Sequence, residues 1–93
     1  MANYLVRVEL HGATWDDYET LHAEMAARGF SREITGDNGL SYQLPTAEYV
    51  IHAGGGLEGV RALAAEAAKR TGRKFGVVVA EYSRSAWVGL AYA

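Results

Sequence analysis

The stretch from Gly29 to Ala53, GFSREITGDNGLSYQLPTAEYVIHA, holds two strand-like runs that meet at the polar turn Gly36-Asp37-Asn38-Gly39. Phe30, Ile34, Tyr49, Val50 and Ile51 are β-branched or aromatic, and Leu40-Ser41-Tyr42-Gln43-Leu44 alternates, so both runs suit pleated backbone. Asp-Asn-Gly supplies residues that tolerate positive φ, which predicts a hairpin here rather than a crossover. Pro45 has no N–H to give a ladder, so it predicts an edge strand or a bulge, with pairing resumed over Tyr49 to Ala53.

On the amino-terminal side, Tyr4 to Leu10 alternates, with Tyr4, Val6, Val8 and Leu10 on one face and Leu5, Arg7 and Glu9 on the other. A helix follows. Thr14 with Asp17 three positions on resembles a capping box, Trp15, Tyr18, Leu21 or His22, and Met25 fall on one apolar face, and Gly29 is placed to end it. On the carboxyl-terminal side, Gly54-Gly55-Gly56 leads into a second helix from Leu57 to Thr71. Its small-residue face is Val60, Leu63, Ala64, Ala67 and Ala68, and Gly72 stops it. Phe75 to Tyr82 is a nearly continuous apolar run, the pattern of a central strand buried on both faces, and Trp87 to Tyr92 reads as a short further strand or a docking tail. The order predicts one α+β domain over residues 1–93, a ferredoxin-like βαββαβ two-layer sandwich with a short carboxyl-terminal extra strand. Two helices cover one sheet face. The other face carries Leu5, Arg7, Glu9 and His11, and must be solvated, bound to ligand or closed by dimerisation.

Ninety-three residues suffice for one core, and 49% hydrophobic with 22% charged residues is an ordinary globular composition. The absence of cysteine removes disulfides, thiol nucleophiles and thiolate metal sites and fits a reducing compartment. No apolar run approaches a membrane span and no leader-like segment opens the chain, so the expected setting is a soluble, cytoplasmic protein with no membrane partner. A net charge of −2 and a pI near 5.9 exclude a generally basic nucleic-acid binder. The local basic cluster Lys69, Arg70, Arg73 and Lys74 could meet phosphates, or could complement the negative end of the second helix.

Gly54-Gly55-Gly56-Leu57-Glu58-Gly59 matches G-x-G-x-x-G with Glu81 downstream, as a dinucleotide fingerprint asks. The preceding strand belongs to a hairpin and the chain is too short for a doubly wound sheet. A connector, or glycine amides holding one phosphate, are the alternatives. Three histidines, His11, His22 and His52, could do acid–base work near neutrality. If His11 and His52 both lie at strand ends near Arg7 or Arg32, they form an acid–base pair with a phosphate clamp, the minimum for metal-independent RNA cleavage through the 2′-hydroxyl. Arg7, His11, Arg32 and His52 are therefore the candidate catalytic residues, with no metal and no cofactor expected. Asp16, Asp17 and Glu19 read as helix-start charges. Lys74-Phe75-Gly76-Val77-Val78-Val79 lacks the further aromatics of an RNA-recognition strand, whereas Tyr42, Tyr49, Tyr82, Trp87 and Tyr92 suit a stacking platform or an interface.

The run Gly29-Phe30-Ser31, the turn Asp37-Asn38-Gly39, the following Gln43-Leu44 and the overall layout resemble the GhoS family, small ferredoxin-like antitoxins of type V toxin–antitoxin systems. The likeness covers most of the chain in layout and the central third in residues. It implies an endoribonuclease acting on the transcript of a small membrane toxin, in a fold related to CRISPR-associated adaptation nucleases that commonly dimerise through their sheets. The expected partners are RNA and a second copy of the chain. The alternative is a non-enzymatic module that binds another protein through the open sheet face and the aromatic carboxyl-terminal strand.

Overall fold

The computed structural model describes residues 1–93. Its elements are β1 (Ala2–Leu10), α1 (Trp15–Ala27), β2 (Glu33–Thr35), β3 (Ser41–Gln43), β4 (Glu48–Ala53), α2 (Gly56–Lys69) and β5 (Phe75–Tyr82). β1 alternates along its length because Tyr4, Val6, Val8 and Leu10 face the helices and are buried, while Leu5, Arg7 and Glu9 face away and are exposed. It is the middle strand of an antiparallel sheet ordered β4-β1-β5, with both helices on one side. This is the α+β ferredoxin-like arrangement. Tyr49, Leu21, Met25, Val6, Val8 and Val60 are the largest fully buried side chains, each contributing about 1.5–3 kcal/mol through burial.

The ends of α1 form as their residues dictate. Thr14 caps the helix through its hydroxyl, which accepts from the Asp17 N–H at 3.3 Å, and the Asp17 carboxylate accepts from the Thr14 N–H at 2.9 Å. Trp15 departs from the expected apolar face: at the first helical position it is 66% exposed, outside the buried set of Leu21, His22 and Met25. In α2, Val60, Ala64, Ala67 and Ala68 are fully buried and let the helix lie close on the sheet, while Leu63 remains 40% exposed at the margin. Gly55 and Gly56 both hold positive φ, at 89° and 70°, so glycine is needed there for the chain to turn from β4 into α2.

β2 and β3 pair antiparallel around the Gly36–Leu40 turn, as expected of the hairpin. Asn38 fixes that turn by accepting from the Leu40 N–H at 3.0 Å. At Pro45 the chain makes a tight turn with Ala47 in left-handed backbone, and the strand that resumes as β4 changes partner, pairing with β1 rather than β2. The segment leading into β2 joins the main sheet through one bridge, Ser31 to Val50, and the β2-β3 ladder continues beyond it as a separate two-stranded sheet with Ile34 buried. The segment after β5 is a docking tail rather than an extra strand: it returns to the hairpin and makes a single bridge, Tyr92 to Tyr42.

β5 requires a correction. Its apolar sequence suggested a central strand, but it is the edge of the sheet, with Phe75, Val77 and Val79 only half buried and Val78 65% exposed. Apolar runs measure what a strand can bury, and neighbours are set by topology.

Candidate functional site

The register places His52 of β4, Asn3 of β1 and Tyr82 of β5 in one row across the sheet, on the face turned away from the helices. His52 Nδ1 lies 2.8 Å from Asn3 Oδ1. With the amide in this orientation Oδ1 can only accept, so the neutral imidazole carries its proton on Nδ1 and leaves the Nε2 lone pair free. Burial raises the Tyr82 pKa above its ordinary value, so its hydroxyl stays a donor.

Over this row lies an open cleft of about 830 Å³, walled by the hairpin and by the tail segment Ser83 to Trp87. The hairpin wall offers Thr35 and Asp37; the tail wall offers the hydroxyls of Ser83 and Ser85 and the cation of Arg84. Trp87 holds the tail in place. Its ring lies so close to Gly36 that a Cβ there would come within 3.3 Å, and it packs at 5.4 Å on Tyr42, which stacks in turn on Tyr92 at 5.1 Å. Main-chain bonds from Gln43 N–H to Ala91 O at 2.8 Å and from Ala93 N–H to Ser41 O at 3.0 Å complete the attachment. A smaller apolar cavity of about 280 Å³ lies between Leu5, Leu44 and the tail residues Val88 and Leu90. The chain's own tail thus roofs part of the face expected to stand open.

Of the four candidate residues, only His52 reaches this cleft. Arg7 stands four residues along β1 from Asn3, about 13 Å away, and is paired with Glu48 at 3.3 Å. His11 follows the end of β1, eight residues or about 26 Å from Asn3, with Glu9 3.6 Å away. Arg32 adjoins Ser31, which pairs with Val50 of the open face, so Arg32 turns to the opposite side, where its charge acts on His22 and Tyr49. The conjectured pairing of His11 with His52 is therefore not assembled: the two rings sit at opposite ends of the sheet. Asn3 stands beside His52, Tyr82 lies one strand beyond Asn3, and Arg84 lines the same cleft. Asn3 could have been found from the alternation, since it shares parity with Leu5 and Arg7; Tyr82 stood among the aromatics suited to a stacking platform with nothing to place it in this row, and Arg84 had no signal.

The other motifs fall into structural roles. Arg73 Nε donates to Asp17 Oδ2 at 2.7 Å and Arg70 lies 3.9 Å from Glu24, so half of the basic cluster is engaged by acids of α1. The glycine run follows a strand antiparallel to β1, without the parallel βαβ unit of a dinucleotide site. No three His, Cys, Asp or Glu side chains gather in a metal-holding group, and no helix is long and apolar enough to cross a membrane. Comparison of the sequence with protein-family models and with curated proteins finds no match in either.

Proposed function

We propose that this chain is a small RNA-acting domain, of the kind its resemblance to GhoS-like antitoxins implies, that seats an unpaired stretch of RNA in the cleft over His52. The observation that carries the reading is the row His52–Asn3–Tyr82, with His52 bonded through Nδ1 to Asn3 and lining a cleft edged by Trp87 and Arg84. Unpaired nucleotides are recognised by stacking on aromatic rings and by hydrogen bonds to their polar edges, and this cleft offers both. His52 Nε2 takes the proton of a 2′-hydroxyl, the 2′-oxygen attacks the adjacent phosphorus, and a 2′,3′-cyclic phosphate forms as the 5′-oxygen leaves with a proton from water. Arg84 offsets the charge of the phosphorane, and Tyr82 donates to a non-bridging oxygen.

The test is incubation of the purified protein with an unstructured RNA oligonucleotide in the presence of chelator. Cutting is expected, with cyclic phosphate ends, a loss of about 10²-fold or more in H52A and a smaller loss in N3A. Cutting by H52A at the rate of the unaltered protein ends the catalytic assignment, and undiminished RNA binding by an R84A/W87A double variant ends the cleft as the binding site.

Val78 at 65% and Val88 at 93% exposure favour a second reading, a protein-interaction module using the open face and tail. A chain that neither binds nor cuts RNA, and that forms a defined complex with a purified partner lost in V88K, would favour it.

A further inference from the structure

β5 carries the sequence of an interior strand at an edge of the sheet. From Phe75 to Ala80 it has no proline, no charge and no bulge, the devices that normally blunt an exposed edge. His11 N–H donates to Lys74 O at 2.8 Å, and main-chain bonding alternates along an antiparallel ladder. Gly76, Val78, Ala80 and Tyr82 therefore bond inward to β1, and the N–H and C=O groups of Phe75, Val77, Val79 and Glu81 point outward with no strand beside them.

We infer that this edge is a homodimer interface, in which β5 pairs antiparallel with β5 of a second copy about a two-fold axis through Val78, joining the two sheets into one. An axis perpendicular to the sheet keeps both helix layers on one side, so residues of like parity must face each other. Among such registers, only the one centred on Val78 gives all four outward residues of each strand a partner within β5: Phe75 opposite Glu81 of the other copy, and Val77 opposite Val79. Val78 then faces its own counterpart across the axis on the open face. The end charges agree with this direction. Antiparallel pairing sets Glu81 opposite Phe75 and Lys74 opposite Tyr82 of the other copy, whereas parallel pairing in register would set Glu81 against Glu81 and Lys74 against Lys74. A second copy is the occupant because a single strand meets these conditions against itself.

Light scattering and a cysteine scan test the interface on the full chain, which has no cysteine of its own. A dimer is expected, with amide exchange at Val77 and Val79 slowing as protein concentration rises. Facing Cα atoms in a pair without main-chain bonds lie about 4.5 Å apart, within disulfide reach, so V78C is expected to cross-link under mild oxidation. A80C is expected not to, because its two copies are offset by four residues, about 13 Å. V78K, at a position already largely exposed, is expected to raise the dimer dissociation constant about tenfold or more while circular dichroism stays unchanged. A chain that is monomeric at every concentration, a dimer that V78K leaves intact, or equal cross-linking of V78C and A80C overturns the proposal.

Discussion

Tyr49 and His22 form a buried polar pair at the centre of the molecule, joined by a 2.6 Å contact between the Tyr49 hydroxyl and His22 Nδ1. Burial pushes the Tyr49 pKa well above its usual range, so the hydroxyl keeps its proton and can donate. His22 Nε2 is also buried and has no partner in the protein, which leaves the ring dependent on this one bond. Y49F is expected to cost about 1–3 kcal/mol in urea denaturation, since it leaves the second nitrogen unsatisfied as well. Burial, reinforced by the Arg32 guanidinium, lowers the His22 pKa below its ordinary 6.5. Between the lowered folded value and 6.5 the unfolded chain binds the proton and the folded chain resists it. Stability from this group is therefore whole above about pH 6.5 and declines as the pH drops below it. H22Q, which carries no titrating ring, is expected to flatten that decline in a plot of urea midpoint against pH.

The tail is the element that decides what the open face can receive, and its attachment rests on Trp87 between Tyr42 and the backbone of Gly36. W87A removes that wedge while leaving β1, β4 and β5 untouched, so the sheet amides should keep their protection from hydrogen exchange. The amides of Gln43 and Ala93, whose bonds hold the tail to β3, are expected to exchange about tenfold faster or more. Equal exchange in both proteins would mean that the two main-chain bonds suffice. The hairpin, the Thr14 capping box and the inward face of β1 were legible in the sequence because each depends on residues a few positions apart. The row of His52 with Asn3, 49 residues away, was not, since register between distant strands leaves no local trace. Arg32 was misjudged for the same reason: its side was fixed by the bridge of Ser31 to Val50. β5 was misread because its apolar run gave its capacity for burial and not its place at the margin.

At the scale of the whole molecule the charges limit how any RNA is held. The net charge is −2, Arg7 is neutralised by Glu48, Arg73 by Asp17, and the cleft combines Arg84 with the carboxylates of Glu33 and Asp37. A protein of this kind cannot draw single-stranded RNA by a broad positive field and must rely on stacking and hydrogen bonds in the cleft. Each phosphate neutralised adds about −0.7 to the slope of log K against log salt for a single strand. With Arg84 as the cleft's one permanent cation, the slope is expected near −1. R84A should bring it close to zero, and K69A should leave it unchanged. Binding through the cluster Lys69, Arg70, Arg73 and Lys74 would instead give a slope of about −3 that responds to K69A and ignores R84A. Anisotropy titrations of a short unpaired oligonucleotide at several salt concentrations separate the two surfaces, because the slope counts the phosphates engaged whatever the affinity turns out to be.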